Sequence, residues 1–204
     1  MIELNFQKIN AVELSHLNRK VDREHRKIIN GIAGEQHYKL LAFLSKELGS
    51  PLILELGTHY GSSSLALAEN SDAIIITYDI KDRYRIKKRN RPKNIIRKVK
   101  HIFNENEEHF LLKSDLIFMD TYHDGVFERQ VFNYLLKNNY KGIIVLDDIH
   151  WSQEMIVFWK EIKIEKHDIT FLGHGGGLGP MGNISGTGII DFSKEKIKIT
   201  GTNT

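Results

Sequence analysis

The 204-residue sequence contains no cysteine. Disulfides and thiolate metal sites are therefore excluded, which suits a reducing compartment. Long apolar runs are also missing: no run approaches the roughly 20 residues that cross a bilayer. The opening MIELNFQKINAVELSH interrupts its apolar positions with charges and has no signal-peptide core. A cytoplasmic protein without a membrane span is expected. There are no internal repeats, low-complexity tracts or linker-like stretches. One domain with a short N-terminal appendage is the organisation that remains.

At 41% hydrophobic and 27% charged residues, the chain can build a core and stay soluble. Its net charge of +3 hides an asymmetry. Residues 81–100, KDRYRIKKRNRPKNIIRKVK, hold eleven Lys or Arg and one Asp. Such a block could meet a phosphate-bearing partner, but a solvated helix and loop on the rim of a sheet is the simpler expectation.

Residues 9–49 carry a helical period. Ile28, Ile29 and Ile32, then Tyr38, Leu40, Leu41, Leu44 and Leu48, recur at three- and four-residue spacing. Gly31 and Gly34 divide this segment into two helices, and Gly49-Ser-Pro51 ends the second. The pattern then changes. Short apolar runs at Leu52–Leu56, Ala73–Tyr78, Val99–Phe103, Leu116–Met119 and Ile143–Leu146 read as strands. Between them Ser62–Glu69, the basic block, Glu105–Leu112, Val126–Lys137 and Gln153–Lys163 have helical length. This alternation predicts an α/β fold, a doubly wound and mostly parallel sheet buried on both faces. Ile169–Leu172, Thr187–Phe192 and Ile197–Thr200 are strand-like without intervening helices, so the sheet should end in antiparallel strands. Residues 1–33 are expected as an N-terminal helical cap segment and 34–204 as the main domain.

Strand one runs into Glu55-Leu-Gly57-Thr58-His-Tyr-Gly61-Ser-Ser63-Ser. The two glycines allow a tight strand-to-helix turn and a close backbone approach to a ligand. The next helix offers free N–H groups to an anion. Asp79 ends the second strand, where a carboxylate can bind the two hydroxyls of a ribose. The nicotinamide fingerprint needs a third glycine that is not here.

Strand four ends at Asp120, followed by Thr121-Tyr122-His123. Strand five ends at Asp147-Asp148, followed by Ile149-His150-Trp151. Three carboxylates at neighbouring strand ends offer hard oxygen ligands to a divalent cation such as Mg²⁺. Without one they would repel each other and raise their own pKa values. His123 has the right intrinsic basicity to take a proton near neutral pH. His150, Trp151 and Tyr122 flank the site as candidate substrate contacts.

The glycine turn resembles motif I of the class I S-adenosylmethionine (SAM)-dependent methyltransferases. Residues 34–192 resemble the metal-dependent small-molecule O-methyltransferases, of the catechol and the macrocin or antibiotic-sugar types, and methyltransferase family 24. The resemblance implies a Rossmann-like seven-stranded sheet with an antiparallel C-terminal hairpin. It implies SAM held by Glu55, Gly57, Thr58, Gly61, Ser63, Asp79, Asn104 and Asp120, and Mg²⁺ held by Asp120, Asp147 and Asp148. It also implies His123 as the base, with Asp120 beside it in catalysis. The residue three after the strand-four Asp is Lys in the catechol type and His in the sugar type, which points to a sugar or glycan acceptor before a catechol-like phenol.

Two features depart from these relatives. The N-terminal region is short, so a substrate cap must be small or shared between subunits of a homo-oligomer. The segment His174–Gly186 is glycine-rich and suits a lid or a pocket edge. A nucleic-acid methyltransferase using residues 81–100 is the rival within the fold, but no Asn-Pro-Pro-Tyr-type base-binding motif is present. A regulatory SAM binder without turnover would not need the Asp120, His123, Asp147 and Asp148 set.

Overall fold

The computed structural model describes residues 1–21, 23, 25–31, 37–170, 178, 180, 182 and 184–200. The chain opens with a strand, β1 (Ile2–Asn5), and two short helices, α1 (Phe6–Asn10) and α2 (Arg26–Ile29), separated by a 3-10 turn at Ser15–Arg19. Helix α3 (Lys39–Glu47) leads into β2 (Leu52–Leu56), α4 (Ser62–Leu67), β3 (Ile74–Asp79) and β4 (Ile95–Val99). Then follow α5 (His109–Lys113), β5 (Leu116–Met119), α6 (Val126–Lys137), β6 (Ile143–Asp147) and α7 (Gln153–Glu161). Strands β7 (Lys166–Asp168), β8 (Thr187–Asp191) and β9 (Ile197–Thr200) complete the order.

Seven strands form one sheet in the order β4-β3-β2-β5-β6-β8-β7. The pairs from β4 through β6 are parallel, whereas β8 runs antiparallel to both β6 and β7. Strand side chains alternate between two cores. Ile53, Ile75, Phe118 and Val145 face α3, α4 and the N-terminal elements. Leu54, Ile76, Ile117 and Ile144 face α6 and α7. Both faces are covered, which explains the unbroken apolar runs of β5 and β6. The strand order reverses between β2 and β5. A crevice opens at their carboxyl ends, as expected where neighbouring crossovers leave to opposite sides.

Residues 9–49 hold several short helical pieces rather than two helices, and β1 precedes them. Strand β9 does not extend the main sheet. It pairs parallel with β1, Ile2 against Ile197, in a separate two-stranded sheet. Ile2, Leu4, Ile9, Leu14 and Leu17 thereby join the same core cluster as the main sheet. Strand β4 lies at Ile95–Val99 rather than Val99–Phe103, because the pairing of Ile75 with Ile95 sets its register. The basic block forms no α-helix, only a 3-10 turn at Lys88–Asn90 ahead of β4. The helix expected over Glu105–Leu112 is confined to His109–Lys113. The strand expected over Ile169–Leu172 lies at Lys166–Asp168, with Phe171 and Leu172 outside the described residues. Most of the glycine-rich segment 174–186 also lies outside them, apart from a bridge between Leu178 and Ile184.

Candidate active site

The loop after β2 is shaped by two glycines at positive φ, +105° at Gly57 and +90° at Gly61. A Cβ at Gly57 would stand 1.7 Å from the carbonyl oxygen of Asp120, and one at Gly61 would stand 2.3 Å from the Tyr84 ring. Only glycine lets the β2 loop lie against the end of β5. Below the loop, Glu55 is fully buried and accepts a hydrogen bond from the Ser64 hydroxyl. Burial pushes its carboxyl up to about 7, although the hydroxyls of Ser63, Ser64 and Thr77 hold it down. Its Oε1 has no hydrogen-bond partner. Thr58 is turned inward, its hydroxyl 2.5 Å from that of Thr77.

The crevice holds a cavity of about 380 Å³, within the range of small-ligand sites. Gly57 lines it between Asp79, at the end of β3, and Asp120, at the end of β5. The backbone N–H groups of His59 and Lys81 donate to the two Asp79 oxygens at 2.8 and 2.9 Å, which fixes that carboxylate at the cavity wall. Apolar surface comes from Ile80, Ile102 and Phe127, and Tyr122 stands at the rim, 64% exposed. Lys81, Arg83 and Lys100 are the cations on the wall. Asn104 is exposed and does not line the cavity, where His101 and Ile102 stand instead. Thr58, Gly61 and Ser63 do not line it either.

Asp120 belongs both to this cavity and to a polar cluster beside it. His123 Nε2 lies 3.2 Å from Asp120 Oδ1 and 3.3 Å from Asp148 Oδ2. In a neutral ring so placed, Nε2 carries the proton and Nδ1 holds the free lone pair. That Nδ1 is buried without a partner. Burial alone would lower the His123 pKa. The hydrogen bond to Asp120 and the charges of Asp148, Asp120 and Glu128 outweigh it and leave the imidazole raised. His123 and Asp148 both adopt positive φ, 55° and 56°, a conformation that costs a side-chain-bearing residue energy and so requires the surroundings to impose it. Buried Glu128, in the first turn of α6, accepts from the Thr121 hydroxyl at 2.6 Å and from the His123 N–H at 3.1 Å. Ser152, the N-cap of α7, donates to the His123 carbonyl at 2.8 Å.

Asp147 is buried, and burial followed by the charges of Asp120 and Asp148 pushes its carboxyl well above the usual range. Asp148 is also raised by burial, against the pull of His123 and a hydrogen bond from Ser185. Asp147 and Asp148 are thus both raised, with the charge of Asp120 contributing to each. Among the described residues, however, no three His, Asp or Glu side chains are arranged to hold a metal ion. Two imidazoles stand against the carboxylates instead: His123, and His37, whose Nε2 is 3.3 Å from Asp147 Oδ1.

His37 and Tyr38 are the site residues that sequence reasoning missed. Burial and the charges of Asp120, Asp147 and Glu55 raise the Tyr38 phenol. Both lie just before α3, where Tyr38 reads simply as one position of an apolar helical face. The flanking candidates divide. Trp151 has its ring centroid 6.1 Å from that of His123, whereas His150 Nε2 is engaged by Asp168 at 2.8 Å.

No family model and no curated protein matches the sequence. Solved structures do match in fold. The cofactor-bound Rv0187 protein from MTB is 16% identical, with a TM-score of 0.57 over 77% of this chain and 79% of that one. An O-methyltransferase from Bacillus cereus in complex with SAH is 19% identical, with a TM-score of 0.56 over 76% and 80%. TomG from Streptomyces achromogenes, an O-methyltransferase of tomaymycin synthesis in complex with SAM, is 19% identical, with a TM-score of 0.52 over 76% and 79%. The chain therefore has the Rossmann-like fold of these proteins.

Proposed function

We propose that the chain is a SAM-dependent O-methyltransferase that transfers the methyl group to a hydroxyl of a small molecule, with a sugar or glycan as acceptor. One observation carries this reading: a single cavity runs from Asp79 to Asp120 across Gly57, at the point where the strand order reverses. Asp79 suits the ribose hydroxyls. Glu55, buried below the loop and accepting from Ser64, supports the turn that carries Gly57 and does not itself line the cavity. The Bacillus cereus and Streptomyces neighbours, named as O-methyltransferases with SAH or SAM bound, agree with it.

In the reaction, the acceptor oxygen attacks the methyl carbon in line. The carbon–sulfur bond breaks with its electron pair going to sulfur, and the hydroxyl proton passes to His123. Asp120 and Asp148 stabilise the imidazolium that results. The raised His123 pKa means that the base is free only above that value, so the rate should fall as pH drops through it.

Mg²⁺ belongs to the same reading. Asp120, Asp147 and Asp148 are the residues that would hold it; their hard oxygens suit a divalent cation in kind, but as placed they face His123 and His37 and form no shared cation position, so holding one would require them to turn. Bound there, it would make the acceptor hydroxyl more acidic.

Calorimetry with SAM and SAH tests the first step, and SAH release tests turnover over methyl glycosides and catechols, with and without chelator. Binding of NAD instead of SAM would end the whole reading. Turnover of catechols with none of any glycoside would end the sugar assignment. Full activity in excess chelator would remove the metal. His123→Ala should lower kcat by roughly 10²- to 10⁴-fold with SAM affinity retained.

A further inference from the structure

The segment expected as a solvated helix is a pinned loop with an outward charge. Its uncharged residues hold it down. Ile86 is buried, and the Tyr84 ring packs over Gly61. The N–H of Arg85 donates to the Tyr60 carbonyl at 3.2 Å. Asn90 donates to the carbonyls of Arg19 and Lys20 at 3.3 and 3.1 Å. Between these anchors Lys81, Arg83, Arg85, Lys87, Lys88 and Arg89 are all exposed. None of the six has a carboxylate partner among the described residues. The neighbouring cations on and after β4 behave differently: Arg97 pairs with Asp82, Lys98 with Glu107, and Lys100 with Glu105 at 2.5 Å.

Six like charges within nine residues repel one another, and a fold that pairs Arg97, Lys98 and Lys100 with carboxylates leaves these without one. They exceed what one phosphate group needs. Lys81 and Arg83 also stand on the wall of the cavity described above, so the row begins at its mouth. The row is bent, passing the Tyr60 contact and the 3-10 turn at Lys88–Asn90. A stiff duplex cannot follow a bend on this scale at low cost, whereas a single strand can.

We infer that the 81–89 loop binds the phosphate backbone of a single-stranded nucleic acid and delivers it to the cavity mouth. Binding here does not depend on methyl transfer, and it carries no sequence preference of its own, because phosphate contacts position a strand without reading bases.

Fluorescence anisotropy with a fluorescein-labelled 15-nucleotide oligo(U) tests this, in 50 and 200 mM salt. Engagement of about four phosphates should weaken affinity by roughly 50-fold between the two, from the counterion released per single-strand contact. The variant R85E/K87E/K88E/R89E should lose at least about 10-fold in 50 mM salt, while its SAM affinity by calorimetry stays at the wild-type value. Should that variant fail to fold, K87E/K88E carries the same test with a smaller loss. Absence of oligo(U) binding in 50 mM salt, undiminished binding by the variants, or binding to phosphatidylserine vesicles without oligo(U) binding would each overturn the inference. Failure of SAM to bind while oligo(U) binds would instead count against the methyltransferase reading alone.

Discussion

His37 Nε2 lies 3.3 Å from Oδ1 of Asp147, joining the residue that precedes α3 to the end of β6. This pair puts an imidazole against a carboxylate that burial, Asp120 and Asp148 all work to protonate. His37 also meets the Thr187 hydroxyl at 3.3 Å, so three separate parts of the chain converge there.

Asp147→Asn should stabilise the protein in chelator at neutral pH. A carboxyl with a raised folded-state pKa loses stability as pH climbs from its unfolded to its folded value, and above both the wild type carries the full cost. Asparagine never does. His37→Ala should do the opposite, by about 1–3 kcal/mol, since it removes a partner of a buried carboxylate. Thermal melts of both variants against pH check the pair, and a D147N protein less stable than wild type contradicts the assignment.

Glu55 gives a second pH dependence, with a stated window. Its carboxyl is raised from about 4.5 to about 7, so stability should fall as pH rises through that interval and level off above it. Glu55→Gln should flatten this part of the profile. Chemical denaturation of the ligand-free protein between pH 4 and 8 measures both curves, and parallel profiles would show that Glu55 is not the group responsible.

Glu128 should act on the rate through the loop that it holds. Glu128→Ala frees the Thr121 hydroxyl and the N–H of strained His123 together. We expect kcat to fall by more than about 10-fold with little change in SAM affinity, while Glu128→Gln, which keeps an acceptor oxygen, recovers most of it. Equal losses in the two variants would point to a missing charge rather than a displaced loop.

Gly57→Ala is the most severe single change expected in the crevice. The new methyl would enter the Asp120 carbonyl at 1.7 Å, from a backbone at φ +105°. Either the β2 loop or the end of β5 must move, and SAM affinity should drop by well over 10-fold. Gly49→Ala, at φ +79° but with open space around its Cβ position, is the control for backbone strain alone. Similar SAM binding by both variants would mean that the close approach to Asp120 does not shape the site.

The central strands were legible because both faces of β2, β5 and β6 are buried, which leaves continuous apolar runs. Gly57, Asp120 and Asp147-Asp148 stand at the ends of these strands, and Asp79 ends neighbouring β3. Strand β4 was misplaced because it is an edge, half-exposed and carrying Arg97 and Lys98. In such a segment pairing with β3, which no local pattern reveals, decides the register. Strand β1 was missed for a related reason: four residues have too little period to read, and their partner is Ile197–Thr200. His37 and Tyr38 reach the site only because the chain folds back over the sheet. Asn104 misses the cavity because β4 ends at Val99, well before it.

The pairing of Ile2 with Ile197 imposes a schedule on synthesis. Among the described strands, the first to be synthesised pairs with the last. At translation speeds of about 5–20 residues per second, Ile2 and Leu4 wait roughly 10–40 s before β9 exists to receive them. Both end up almost fully buried. Until then a strand with an open edge is exposed to other partners, a hazard that early packing against neighbouring elements or a chaperone would reduce.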